Sequence, residues 1–334
     1  MKVDEHDEYY LRPMNCPHHH KVYAARPHSY RDLPYRLAEY GNTYRYEKHG
    51  SLAGLLRVRA MCMNDAHIYC TPEQVEEEFR AVMAMYDLYY NHLRMGDFRV
   101  RLSLSDSDSE KFIGDREEWQ RSEAIVRDVL DNLGVEYEEE VGEAAFYGPK
   151  IDIQVKNLLG REETVSTCQL DFVVAERFGL EYTDDKGEKQ TPYIIHRAPL
   201  STHERMISFL IELYGGAFPT WMAPQQVQLI PVNDDVLDYA KEIESNLHGN
   251  LFRVKIDTSN ESFNKKIRNA ITSKIPNIWI LGSKEKENRT ITWRRYCSKE
   301  QKTVGLDNAY TALNALRSGR IMDNFDDVDL PLGE

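Results

Sequence analysis

Apolar and polar positions follow two rhythms along the chain, and the rhythm changes once. From residue 8 to residue 70 the pattern is one of strands joined by loops, with a helical stretch near Tyr30 to Glu39. Arg45 to His67 reads as a β-hairpin with a long loop. Lys48, His49, Gly50 and Ser51 are polar or turn-prone, and apolar and charged residues alternate after Leu55. A helix follows. Thr71 is placed to cap it, Pro72 suits its first position, Gln74 completes a capping box and Gly96 stops it. Val75, Phe79, Val82, Tyr86, Tyr89 and Leu93 recur at helical spacing and form its core stripe. Phe98 to Leu104 alternates as a strand, and Glu117 to Leu133 is a helix ended by Gly134. Val135 to Glu140, Lys150 to Val155 and Glu163 to Val174 are further strands, the last long enough to bend. Tyr147-Gly148-Pro149 is a turn that presents Tyr147 and Lys150 at a strand's edge. His203 to Tyr214 is a helix closed by Gly215-Gly216.

Phe218 to Pro224 marks a boundary, because its two prolines prevent a continuous helix. Beyond it strand and helix alternate. Gln226–Val232, Phe252–Ile256, Asn277–Leu281 and Arg289–Arg294 are strands; Asp234–Leu247, Asn260–Lys274 and Leu306–Leu316 are helices. That succession predicts a small α/β domain with a mixed sheet. The expected organisation is one domain over 1–222, a second over 223–320, and an acidic, frayed tail over 321–334.

Composition changes this picture little: 41% hydrophobic and 29% charged residues are those of a globular protein. No apolar run is long enough to span a membrane, and the acidic start lacks an apolar signal core, which implies a cytoplasmic location. Five scattered cysteines (Cys16, Cys62, Cys70, Cys168, Cys297) fit reduced thiols better than a disulfide framework. Charge matters more. The net value is −13, yet Arg253 to Lys302 holds 13 Lys and Arg against 5 Asp and Glu. An acidic body with one basic segment is compatible with docking a polyanion at one place.

The hairpin carries Arg45, Glu47, Arg57 and Arg59. Side chains two apart on a strand share a face, so Arg45 and Glu47 point one way together, as do Arg57 and Arg59. Such a face suits a polyphosphate on a base with an amino group, and it equally suits a salt-bridged surface hairpin. Cys16, His67 and His196 lie far apart, and their spacing alone does not name a metal. His18, His19 and His20 follow Cys16, but neighbours in an extended run face opposite ways, so they read as structural or surface residues.

Resemblance gives these residues a common sense. Arg45-x-Glu47, a loop, then Arg57-x-x-x-Met61 resembles motif 2 of the class II aminoacyl-tRNA synthetases. Arg12-Pro13-Met14-Asn15-Cys16-Pro17-His18-His19, Asn64-Asp65-Ala66-His67, Ala145-Phe146-Tyr147-Gly148-Pro149-Lys150 and Ile195-His196-Arg197-Ala198 are similar to threonyl-tRNA synthetase motifs, in that family's order. The resemblance implies an α+β catalytic domain with an antiparallel sheet and helices, then a small α/β anticodon-binding domain. It implies a ligase that joins threonine to ATP, releases pyrophosphate and charges tRNA(Thr). By the same resemblance Cys16, His67 and His196 hold one Zn²⁺, and threonine meets it through its amino group and hydroxyl, which valine cannot do. Met14, Asp65, Tyr147 and Gln169 belong to the threonine pocket. ATP, with Mg²⁺, falls to Arg45, Glu47, Arg57, Met61, Thr167 and Arg205, with Arg45, Arg205 and Lys150 as the catalytic residues. Thr202-His203-Glu204-Arg205 looks like motif 3, with His203 where the family usually has Met.

Residues 225 to 320 resemble the anticodon-binding domain shared by several of these enzymes, with Lys284, Glu285 and Arg294 as anticodon contacts and Lys265, Lys266 and Arg268 on one helix. Asn277 and Trp279 depart from the family and imply altered base specificity. Family members are homodimers built on motif 1 and carry N-terminal domains, one of which hydrolyses seryl-tRNA. By the resemblance, Met1 falls inside the catalytic domain, after motif 1. A non-catalytic tRNA-binding relative is therefore the alternative expectation, and an adenylating enzyme with another carrier is a third, disfavoured by the basic segment.

Overall fold

The computed structural model describes residues 8–96, 98–157, 160–325, 328–329 and 331. The chain divides into two compact units, Met1–Asn91 with Met95–Phe209, and His92–Arg94 with Leu210–Glu334. The first unit opens with helix α1 (Cys16–Ala24) and the hairpin β1 (Tyr35–Tyr44) and β2 (Ala60–Cys70). Helix α2 (Val75–Leu93), strand β3 (Phe98–Leu104), helix α3 (Arg116–Leu133) and strand β4 (Tyr137–Val141) follow. Then come β5 (Lys150–Lys156), β6 (Glu162–Asp171), the short α4 (Val174–Arg177), a ribbon of β7 (Tyr182–Thr183) and β8 (Lys189–Gln190), β9 (Tyr193–Ala198) and α5 (His203–Leu213).

Seven strands form one sheet in the order β1-β2-β9-β6-β5-β3-β4. Neighbours run antiparallel except β3 and β4, which are parallel and joined through α3. The register between β5 and β6 shifts at Ile153/Gln154, and β6 ends at Asp171, short of the expected Val174. Helix α2 forms as the periodicity predicts, led by a 3₁₀ turn at Pro72–Gln74 with its Thr71 and Gln74 capping box. Val75, Phe79, Val82, Tyr86 and Leu93 are buried on it, while Tyr90, not Tyr89, completes the stripe.

Two expectations fail near the start. Tyr30 to Glu39 is not helical: only Tyr30–Asp32 makes a 3₁₀ turn, and Tyr35 onward is strand β1. Pro34 blocks helix continuation, and Tyr35 and Leu37 alternate inward to pack with Tyr23, Tyr69 and Leu180. Conversely, Cys16–Ala24 is a helix, not an extended run. Pro17 in its first turn is compatible with helix entry, and Asn15 occupies the N-cap position.

The second unit alternates as expected, with α8 and β14 in addition: β10 (Val227–Pro231), α6 (Leu237–Gly249), β11 (Val254–Ile256), α7 (Phe263–Thr272), β12 (Asn277–Leu281), α8 (Ser283–Asn288), β13 (Thr290–Arg295), β14 (Gln301–Gly305) and α9 (Leu306–Ser318). Its mixed sheet runs β11-β10-β12-β13-β14, parallel through β12 and antiparallel beyond. Helices α6 and α9 pack Tyr239, Ile243, Leu247, Leu313 and Leu316 against Trp279 and Trp293. Each fully buried aliphatic or Phe side chain contributes about 1.5–3 kcal/mol. The start of the tail is not frayed. Met322 and Asp323 are buried, and the Asp323 carboxylate accepts from the Thr220 N–H at 2.7 Å and its hydroxyl at 2.6 Å. Residues 326–327, 330 and 332–334 of that tail lie outside the described residues.

Candidate active site and metal centre

Strand pairing assembles the site. His67 on β2 stands opposite His196 on β9, His196 opposite Gln169 on β6, and Gln169 opposite Lys150 on β5. Directly opposed residues share a sheet face, so one row of four strands presents four polar side chains together. Two residues along, the same face carries Asp65 on β2, Thr167 on β6 and Asp152 on β5. A cavity of about 300 Å³ opens there. Met14, Cys16, Arg45, Asp65, Tyr147, Lys150, Thr167, Gln169 and His196 line it, together with Met63, Phe146 and Arg197, which the sequence did not single out.

The metal-type donors converge. One ligand atom each from Cys16, His67 and His196 lies within 4.8 Å of the others. Cys16 Sγ is 3.7 Å from His196 Nδ1. The other ring nitrogen of His196, Nε2, is 2.9 Å from Asp171 Oδ2, while Asp171 Oδ1 accepts from the N–H groups of Val173 and Val174. Asp171 is fully buried, so its charge acts at short range. Burial pushes His196 down, but Asp171 and the Cys16 sulfur outweigh it and raise the imidazole to about 10. The local field thus favours positive charge. His67 is shifted the opposite way, well below the ordinary histidine range, by burial and by the neighbouring rings. Its Nε2 is buried and has no protein hydrogen-bond partner among the described residues. A thiolate and two imidazoles with an orphaned nitrogen fit a zinc site that leaves a position open.

His19 and His20 are the structural alternative of the two expected, buried beside these donors and not at the surface. On helix α1 both rings turn inward. His19 Nδ1 is 2.7 Å from His67 Nδ1, and His20 Nδ1 is 2.9 Å from the Tyr69 hydroxyl. The Asn-Cys-Pro sequence, with its N-cap and first-turn preferences, was the available signal for that helix.

Around the donors, Asp65 is buried and its carboxyl is raised by desolvation, which His196 and the 3.3 Å bond from Asn15 Nδ2 oppose. Gly41 leaves room for that asparagine: a Cβ there would sit 2.5 Å from Asn15 Oδ1. The Tyr147 hydroxyl donates to Gln169 Oε1, and its ring lies 5.0 Å from that of His196. Gly148 permits this, since a Cβ there would meet the Leu170 carbonyl oxygen at 1.7 Å. Lys150 Nζ is 2.9 Å from Asp152 Oδ2, which Arg101 also pairs at 3.0 Å.

The arginine face differs from its predicted form. Strand β1 ends at Tyr44, so Arg45 and Glu47 lie in the connecting loop, and Arg57 Nε binds Glu47 Oε2 at 3.0 Å. Arg205 Nε donates to the Leu56 carbonyl at 3.2 Å, tying α5 to the same loop. Burial lowers Arg205 below the ordinary arginine range; Glu163 opposes that, and Arg45 and Arg57 add to it. Three guanidinium groups therefore share one electropositive field. His203 turns to Tyr40, 4.9 Å between rings, and leaves Arg205 half-buried. Glu204 accepts from the Cys62 N–H with both oxygens, each at 3.1 Å. Met61 is buried on β2, on the face of Met63 and Asp65.

In the second unit, Lys284 is exposed on α8, and Arg294 on β13 is half-buried, its Nε without a hydrogen-bond partner among the described residues. Glu285 is engaged locally, accepting from the Gly282 N–H at 3.0 Å and the Thr292 hydroxyl at 2.8 Å. Asn277 and Trp279 are fully buried, and Asn277 bonds Thr220, Gln226 and Trp293. They are core residues, which removes the sequence basis for altered base reading there.

Comparison with known proteins bears on this geometry. The family model "tRNA synthetase class II core domain (G, H, P, S and T)" matches residues 1–214, and "Anticodon binding domain" matches residues 226–316. The threonine–tRNA ligase of Staphylococcus carnosus (strain TM300) is 49% identical over 309 residues, 92% of this chain and 48% of that protein. The ligase of Staphylococcus aureus (strain JH9) is 48% identical over the same shares. The chain thus spans about half the length of the curated relatives it matches. A crystal structure described as the RNA binding domain of threonyl-tRNA synthetase from Cryptosporidium parvum Iowa II superposes with a TM-score of 0.87 at 34% identity, over 96% of this chain and 78% of that one. This chain belongs to the class II aminoacyl-tRNA synthetases, within the threonyl-tRNA synthetase family.

Proposed function

We propose that this chain is the catalytic and anticodon-binding part of a threonine–tRNA ligase, with residues 1–222 and 223–320 as the two domains. It activates L-threonine with Mg²⁺·ATP to threonyl-adenylate and transfers the threonyl group to the 3′ end of tRNA(Thr). The observation that carries this reading is the convergence of Cys16, His67 and His196 with Asp65 and Gln169 on one sheet face beside the arginine loop.

Neither step needs a protein nucleophile, so catalysis is positioning and stabilisation of charge on the phosphate. Arg45 and Arg205 grip the α-phosphate, with Lys150 at the reacting carboxylate; Asp152 keeps that ammonium in place. Arg57 reaches the outer phosphates, Glu47 accepts from the adenine amino group, and Met61 and Thr167 complete the nucleotide side. Met14, Tyr147 and Gln169 border the amino acid, and Asp65 holds its hydroxyl or that group's proton. Cys16, His67 and His196 would hold Zn²⁺, which when bound supplies a Lewis-acid seat for an amino group and a hydroxyl and so rejects valine. Lys284, Glu285 and Arg294 face the anticodon, by charge and hydrogen bonding to unpaired nucleotides. The same reading implies a cytoplasmic enzyme and a homodimer in its full-length form. Among the described residues no helix is long and apolar enough to cross a membrane.

Threonine-dependent exchange between pyrophosphate and ATP tests the reading. Exchange with threonine, weaker with serine, absent with valine and lost on chelation is expected. No exchange from folded protein carrying one zinc per chain would replace the ligase with a tRNA-binding role.

A further inference from the structure

The two histidines of the metal centre are held in different ways. His196 meets its carboxylate directly, Nε2 to Asp171 at 2.9 Å. A carboxylate only accepts, so Nε2 carries a proton, and Nδ1 is the nitrogen left beside the Cys16 sulfur, where a bound ion would take its lone pair. Among the described residues His67 meets no carboxylate. Its Nδ1 is 2.7 Å from Nδ1 of His19, and the far nitrogen of His19, Nε2, stands 3.3 Å from Glu39 Oε1. That oxygen is buried and makes no hydrogen bond among the described residues, so His19 Nε2, 3.3 Å away, is a donor placed to satisfy it. Glu39 Oε2 is anchored separately, 3.3 Å from Arg12 Nη2.

We propose that Glu39 and His19 form a positioning relay that fixes the tautomer of His67 and turns its Nε2 lone pair to the metal site. The proton order follows from the end of the chain. Glu39 can only accept, so His19 keeps its proton on Nε2. Neutral His19 is then an acceptor at Nδ1, and the short approach requires His67 to donate from Nδ1. Nε2 of His67 is left unprotonated, and it is the buried nitrogen without a protein partner. The alternative tautomer of His67 would set two acceptor nitrogens against each other at 2.7 Å and put a proton where the ion belongs. Helix α1 thereby serves the centre twice, through Cys16 at its first turn and through His19 one turn on, while β1 supplies Glu39 opposite Asp65. Outer partners of this kind tune metal affinity roughly 10- to 100-fold.

This inference rests on the proposed metal site, and the experiment separates the two. Zinc affinity of the intact chain is measured by competition with a chromophoric chelator for wild type, Cys16→Ser, His19→Leu and His19→Gln. In parallel, a long-range ¹H–¹⁵N spectrum of the zinc-loaded wild type assigns the protonated nitrogen of each ring. Expected are loss of binding in Cys16→Ser, about 10- to 100-fold weaker binding in His19→Leu, and recovery in His19→Gln, whose amide can both accept from His67 and donate to Glu39. The spectrum should show protons on Nδ1 of His67 and Nε2 of His196. Wild-type affinity in His19→Leu, or a proton on Nε2 of His67, overturns the relay alone. Absence of zinc binding by the wild type, or binding undiminished in Cys16→Ser, overturns the metal site and the relay together. The wild-type spectrum decides the matter even where a variant fails to fold.

Discussion

The polar groups of the first unit's sheet face and the cations of the second unit's basic segment are organised in opposite ways. On the sheet face, Asp171, Asp152 and His67 are fully buried, and each works through fixed neighbours. In the basic segment, Lys265 pairs with Glu261, Lys286 with Asp238, and Arg289 with Glu242, all near the surface. Lys266 and Arg253 spend their charge on the backbone carbonyls of Asp257 and Ala223. The lesson is that a local balance of +8 overstates the field available to a polyanion, while an unremarkable spacing of Cys and His conceals a strongly directed one. Burial decides between them, because Coulomb terms strengthen as water is excluded.

The comparison predicts mutational effects of very different size. Asp171→Ala should be the most severe, destabilising the fold by about 3–5 kcal/mol in urea unfolding, since it strands a buried imidazole. Asp171→Asn should cost less, because its amide oxygen still accepts from Val173 and Val174. Arg205→Ala should lower threonine-dependent exchange by about 10²–10³-fold, the usual scale for one oxyanion-stabilising group. Arg205→Lys should recover part of that, restoring charge but not the planar fork. In the second unit, Lys284→Ala or Arg294→Ala should weaken tRNA binding moderately and flatten its salt dependence by a slope of about 0.7 each, measured by filter binding across salt concentrations. Arg289→Ala should leave the melting temperature within experimental scatter, because its pair with Glu242 is more than half exposed. A large effect of Arg289→Ala, or none of Asp171→Ala, would break the contrast.

Much of this was legible in the residues. Helix α2 announced itself through Thr71, Pro72, Gln74 and an apolar stripe, and the second unit through its alternating rhythm. Cys16, His67 and His196 were reached through motif resemblance, not spacing, because only the pairing of β2 with β9 and the placing of α1 bring them together. The structural reading of His19 stands, but its helical setting is hidden from the sequence for a local reason. Its helix has three histidines where a core face would carry aliphatic residues, so its buried side looked polar. The start of strand β1 looks helical in sequence because Tyr30–Asp32 does turn, and Pro34 separates that turn from the alternation that follows. The fate of Glu285, Asn277 and Trp279 could not be read at all, since hydrogen bonding to Gly282, Thr292 and Thr220 depends on the completed sheet.

The central proposal is that one sheet face would join a bound zinc ion to the recognition of a hydroxyl amino acid. The most direct test is calorimetric titration of L-threonine and L-valine into zinc-loaded and metal-stripped chain. The account predicts that threonine binds the loaded protein, that stripping weakens it by at least about tenfold, and that valine binds neither form comparably. Equal binding of threonine and valine, or threonine binding indifferent to zinc, would contradict it.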